Sequence, residues 1–171
     1  MTPEQRAAQI RLVALDVDGV LTDGRLYYGP QGEALKVFDV RDGHGIKMLL
    51  NHGVEVAILS ARSSDIVGLR ARELGIGRVL QGRGDKAVAW NELLRDTGVP
   101  AEQAGFIGDD LPDLPVLAQA GFAATVADAR DEVKGAAHWV AEQAGGRGAV
   151  RALAEFILRA KGVDFAGMTH G

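Results

Sequence analysis

The 171-residue chain contains no cysteine, which excludes disulfides, thiolate metal sites and cysteine nucleophiles. No apolar run approaches the roughly 20 residues that a membrane-spanning helix needs. The polar stretch from Met1 to Gln9 lacks the apolar centre of a signal peptide. Basic residues occur at most as isolated pairs, and 23 acidic against 19 basic residues give a formal net charge of -4. That balance argues against a nucleic-acid surface. Repeats, low-complexity blocks and linkers are also missing. What remains is the expectation of a soluble, cytoplasmic protein with one proper core, ordinary in its 47% hydrophobic and 25% charged content.

Short apolar runs alternate with helical patterns along the chain. Strands are predicted at Leu12–Leu15, Glu55–Leu59, Arg78–Gln81, Gly105–Ile107, Ala123–Val126 and Trp139–Ala141. Helices are predicted at His44–Asn51, Ser64–Leu74, Lys86–Thr97, Leu114–Ala120 and Arg130–Gly135. This alternation implies a three-layer α/β sandwich with a mostly parallel sheet covered on both faces. A last helix, about Gly148 to Lys161, puts Val150, Leu153, Ala154, Ile157 and Leu158 on one stripe. One segment breaks the pattern: Arg25–Tyr28 and Ala34–Phe38 flank a Gly-Pro-Gln-Gly-Glu turn and read as a β-hairpin flap over about residues 24–39. A projecting hairpin cannot bury both faces alone, so a partner subunit is expected over Leu26, Tyr27, Tyr28, Val37 and Phe38. A single domain should span residues 1–161. Residues 162–171 show no periodicity and are expected to be flexible.

The chemistry concentrates at strand ends. The run Leu12-Val13-Ala14-Leu15 delivers Asp16 and Asp18 onto Gly19, at the sheet edge where open α/β folds bind ligands. The second strand ends in Ser60-Ala61-Arg62, Lys86 opens the helix after the third, and the fourth ends in Gly108-Asp109-Asp110-Leu111-Pro112-Asp113. Taken singly, each has a plain structural explanation as a cap, a turn or a solvated lysine. Together and in order they fit phosphoryl transfer. Asp16 suits a nucleophile that forms an aspartyl-phosphate. Attack of an anion on a phosphate dianion needs positive charge, which Mg2+ held by Asp16, Asp109 and a backbone carbonyl would provide. Lys86 and Ser60 could hold the remaining phosphoryl oxygens. Asp18 is placed to protonate the leaving alkoxide and later to deprotonate water.

These residues resemble the four motifs of the haloacid dehalogenase superfamily of phosphotransferases, which implies a Rossmann-like sheet. The short intervals from Asp16 to Ser60 and from Lys86 to Asp109 resemble its capless branch, with no large cap domain. Further stretches, Asp18–Gly24, Phe38–Gly45, Leu80–Gly82 and Gly145–Arg151, resemble phosphatases of that branch that act on an eight-carbon sugar-acid phosphate in lipopolysaccharide precursor synthesis. The resemblance implies a magnesium-dependent homotetramer whose neighbouring subunits help to close the active site. It implies Asp18 as acid/base and carbonyl ligand of the metal, with Asp16 and Asp109 as the other ligands and Asp110 and Asp113 in support. It further implies substrate contacts from Asp39, Val40, Arg41, Asp42, Gly43, Lys47, Arg62 and Arg70, beside Asp18 and Lys86. Three departures stand out: Ala61 replaces the usual glycine, Ala152 replaces a common glutamate, and the tail beyond Lys161 is short with little positive charge.

Two other functions compete with this one. A nine-carbon sugar-acid phosphate would use the same chemistry in a deeper pocket. A catalytically idle, tetramerising regulatory subunit would keep the fold, but such a protein would be expected to lose Asp16, Asp18 or Lys86 first, and all three are present.

Overall fold

Leu12–Leu15 (β1) is apolar at every position, as a strand covered on both faces must be. It lies inside a six-stranded sheet. Its neighbours are Glu55–Leu59 (β4) on one side and Ala104–Gly108 (β6) on the other, both parallel. The computed structural model describes residues 1–167, and completes this sheet with Arg78–Leu80 (β5), Phe122–Thr125 (β7) and Trp139–Val140 (β8) in the order β5-β4-β1-β6-β7-β8. All five pairings are parallel. The expected α/β architecture is therefore present, with no large cap among the described residues.

Helices cover both faces. Pro3–Ala7 (α1), Val40–Asn51 (α2) and Ala149–Ala160 (α7) pack together on one side, with Asp65–Leu74 (α3) against α2. Lys86–Thr97 (α4), Leu114–Leu117 (α5) and Asp131–Ala136 (α6) lie on the other. The predicted stripe of α7 is buried throughout, from Val150 to Leu158. Each of its valine, leucine and isoleucine side chains contributes about 1.5–3 kcal/mol relative to exposure. The antiparallel hairpin Tyr27–Gly29 (β2) and Gly32–Leu35 (β3) forms a separate two-stranded sheet, and its Tyr28, Leu35 and the following Val37 are exposed.

Some boundaries differ from expectation. Helix α2 begins at Val40, four residues before the predicted start at His44, because Asp39 caps it by accepting the Arg41 N–H at 2.7 Å. Helix α1 was not predicted at all, although Thr2 and Gln5 form a capping box around Pro3. Val163 and Phe165, within the segment expected to be flexible, pack against the core, and Phe165–Gly167 forms a 3-10 turn. Residues 168–171 of that segment lie outside the described ones.

The loop before α7 backs the carboxyl end of β1. Gly146 N–H donates to the Val20 carbonyl at 2.9 Å, and a Cβ on Gly145 would overlap the Gly19 carbonyl oxygen. Backbone cannot yield cheaply, so Gly145→Ala should destabilise the fold by about 1–3 kcal/mol in a denaturant titration. Gly68→Ala, whose new methyl meets nothing within 4 Å inside α3, should be neutral or stabilising by up to ~1 kcal/mol. Equal effects of the two would contradict this packing.

Candidate active site

Four loops at the carboxyl edge of the sheet converge on one cleft of about 310 Å³, lined by Asp16, Asp18, Ser60, Arg62, Lys86, Asp109, Asp110 and Asp113, among others. Parallel strands carry their carboxyl ends to the same edge, which is what assembles residues so distant in sequence. Asp16 follows β1 directly, Ser60 follows β4, Lys86 is the first residue of α4, and Asp109 follows β6.

Lys86 is the centre of this arrangement. Its side chain is 4% exposed, and Nζ lies 3.0 Å from Asp16 Oδ2 and 2.5 Å from Asp113 Oδ1. Burial alone would lower its pKa, but the two carboxylates outweigh burial and raise it, so it stays an ammonium. Asp16 Oδ1 accepts the Val17 N–H at 2.7 Å. Asp113 Oδ2 accepts the N–H groups of Asp109 at 2.9 Å and Asp110 at 3.1 Å. Asp113 is thus engaged on both oxygens and braces the loop after β6. Asp109 lies against Gly19, whose φ of +90° and missing Cβ are both required, since a methyl there would overlap the Asp109 carboxylate.

The cluster carries more negative than positive charge. Asp16, Asp109 and Asp113 each offer an oxygen within 4.8 Å of the others. Burial first, then neighbouring carboxylates, pushes both Asp16 and Asp109 up to about 7, with Lys86 opposing the shift. Crowded carboxylates with raised proton affinity are the hard-oxygen donor set that suits a divalent cation such as magnesium. Asp113 is already saturated by Lys86 and two N–H groups, which leaves Asp16 and Asp109 as the side-chain donors.

Not every expected residue reaches the cleft. Asp39, Val40, Arg41, Asp42, Gly43 and Lys47 lie along α2 and Arg70 on α3, none of them among the cleft residues of their own chain. Arg70 sits 5.9 Å over the Phe38 ring and packs against Gly43. Arg41 pairs with Asp39 at 2.8 Å. Asp42 is buried, and its Oδ1 accepts the Arg151 N–H at 2.9 Å, so it caps α7 across the fold. Two residues of the site were not anticipated from sequence, Lys36 and Glu33. Lys36 Nζ lies 2.7 Å from Asp18 and 2.8 Å from Glu33. The available signal was a lysine within the apolar run Ala34–Phe38 and a glutamate three residues before it.

Comparison with known proteins agrees with the geometry. The haloacid dehalogenase-like hydrolase family matches residues 73–153. The 3-deoxy-D-manno-octulosonate 8-phosphate phosphatase of Yersinia pestis is 49% identical over 157 residues, covering 92% of this chain and 84% of that one. The chain belongs to this phosphatase family. Among solved structures, the Moraxella catarrhalis 3-deoxy-D-manno-octulosonate 8-phosphate phosphatase, in complex with magnesium, phosphate and KDO, superposes with a TM-score of 0.93 at 38% identity. That match covers 97% of this chain and 95% of the neighbour. The cobalt-bound Haemophilus influenzae phosphatase superposes with a TM-score of 0.90 at 46% identity, covering 92% of each. Among the described residues, no helix is long and apolar enough to cross a membrane.

The raised carboxylates give a pH signature. Asp16 and Asp109 hold protons more tightly folded than at their ordinary value of 3.8. Stability of the metal-free protein should therefore fall as pH rises from about 4 through about 7. Magnesium should restore it, and by more at pH 7.5 than at pH 5. Thermal unfolding with chelator and with excess magnesium checks this; a chelated protein that grows steadily more stable from pH 5 to 7.5 would contradict it.

Proposed function

We propose that the chain is a magnesium-dependent hydrolase of 3-deoxy-D-manno-octulosonate 8-phosphate, releasing the free sugar acid and phosphate for lipopolysaccharide precursor synthesis. The observation that carries this reading is the grip of Lys86 and the Val17 N–H on Asp16, beside Asp109, at the end of β1. The names of the relatives support the substrate.

The residues divide the reaction between them. Asp16 attacks phosphorus; the bond to the sugar oxygen breaks, and Asp18 gives its proton to the departing alkoxide. Asp18 then takes a proton from water as the resulting hydroxide attacks the aspartyl-phosphate, which frees phosphate and restores Asp16. Lys86 and the buried Ser60 hydroxyl hold non-bridging phosphoryl oxygens. Arg62, 43% exposed at the cleft mouth, is available to the anionic sugar acid. Asp16, Asp109 and the Asp18 carbonyl would hold magnesium, which when bound offsets the charge of the carboxylates and the transferring group. Asp110 and Asp113 keep the loop in place.

The same reading includes a homotetramer. The residues of α2 and α3 that the family resemblance assigns to the sugar acid lie outside the cleft of their own chain, while the hairpin exposes Tyr28, Leu35 and Val37. A neighbouring copy covering the hairpin answers both facts, with active-site closure shared between subunits. Val37→Asp should then yield smaller species in size-exclusion chromatography with light scattering, and activity should fall roughly 10-fold or more, in line with loss of substrate-positioning contacts. A fully active monomer would rule this assembly out.

Phosphate release from a panel of esters tests the function itself. The panel comprises the eight-carbon and nine-carbon sugar-acid phosphates, hexose phosphates and an aryl phosphate, each with magnesium and with chelator. Preference for the eight-carbon acid, lost with chelator and in Asp16→Asn, is expected. Preference for the nine-carbon acid would move the substrate and keep the chemistry; no release from any ester would leave an idle subunit.

A further inference from the structure

The hairpin reaches the cleft through charge. Lys36, immediately after β3, has a side chain only 2% exposed, with Nζ 2.7 Å from Asp18 Oδ1 and 2.8 Å from Glu33 Oε1. Glu33 Oε2 in turn accepts the Ser64 hydroxyl at 2.5 Å. Ser64 is the N-cap residue of α3, yet it makes no side-chain cap bond to its own helix. Its hydroxyl is committed to the hairpin instead. Four side chains, Ser64, Glu33, Lys36 and Asp18, thus tie the loop after β4, the hairpin and the loop after β1 into one charge-assisted chain.

The effect falls on Asp18. Lys36 occupies Oδ1, whereas among the described residues the cation beside Oδ2 is Arg62, its Nε 3.7 Å away and beyond hydrogen-bond length. One oxygen is fixed and the other is left to exchange a proton. We propose that Lys36, anchored by Glu33, is a positioning residue for the phosphatase reaction, setting the Asp18 carboxylate so that Oδ2 meets the leaving group and later the water. The proposal rests on the assignment of Asp18 as proton donor and acceptor. Lys36 itself touches neither substrate nor metal in it.

Leaving-group dependence separates this role from plain structure. With an irreversible first step, kcat/KM ends at departure of the leaving group, and so reads the proton delivered to it rather than the later attack of water. The two substrates are the eight-carbon sugar-acid phosphate, whose alkoxide needs a proton, and 2,4-dinitrophenyl phosphate, whose phenolate does not. For Lys36→Met, kcat/KM on the sugar ester should fall about 100-fold and on the aryl ester less than about 3-fold, the selective loss expected when general-acid catalysis is misaligned. Lys36→Arg should recover most of the loss, and Glu33→Gln should show the same selectivity in smaller measure. Thermal unfolding reports whether each variant is folded.

An equal fall on both esters would make Lys36 a structural residue and overturn the proposal. An unchanged or raised rate on the sugar ester would overturn it too, since a misaligned carboxylate cannot deliver its proton as well as an aligned one. Should Lys36→Met fail to fold, Glu33→Gln decides, and unaltered selectivity there is a negative result. If the wild type cleaves the aryl ester but not the sugar acid, only the substrate assignment fails, and whichever alkyl phosphate in the panel is cleaved takes its place. If Asp16→Asn leaves both activities intact, the phosphatase reading falls and this one with it.

Discussion

A buried ammonium has to be paired, and the site is organised around how Lys86 is paired. Leaving it without partners in the interior would cost several kcal/mol. It is held by Asp16 from the end of β1 and by Asp113 from the loop after β6. Asp113 then has its second oxygen free to order that loop through the Asp109 and Asp110 N–H groups. One cation therefore fixes both Asp16 and the loop that presents Asp109. The arrangement is short of positive charge: burial and the repulsion of neighbouring carboxylates push both Asp16 and Asp109 up to about 7, against the pull of Lys86. That deficit is what selects a hard cation and an electrophilic phosphorus as its natural occupants.

Most of the fold and the centre of the site were legible because they depend on local signals. β1, β4 and α4 have the predicted bounds, since uninterrupted apolar runs and a clear helical period specify them without help from the rest of the chain. The convergence of Asp16, Ser60, Lys86 and Asp109 followed from parallel topology alone. What sequence reasoning could not supply was pairing across the fold. Nothing local says that Asp113 saturates itself on Lys86 and two N–H groups, or that Asp42 is spent capping α7 from α2. The start of α2 lies four residues before the predicted His44, because the Asp39 cap and packing against α7 carry the helix back through Gly43 to Val40.

The hairpin is the element in which local and long-range requirements meet. Its turn was readable from Gly29, Pro30 and Gly32, but its strands are shorter than expected, Tyr27–Gly29 and Gly32–Leu35. Two such strands are not stable alone. Their inner attachment is the ion network from Lys36 and Glu33 to Asp18, Arg62 and Ser64. Tyr28, Leu35 and Val37 are exposed.

The central claim is that Asp16 is the atom-level nucleophile of this cleft. The most direct measurement is acid quench of the magnesium-loaded enzyme during turnover, followed by peptide mass spectrometry. The account predicts one phosphoryl group on the peptide that contains Asp16, absent in Asp16→Asn and absent without magnesium. Steady phosphate release with no adduct in wild type or in variants slowed at Asp18, or an adduct on a different side chain, would contradict it.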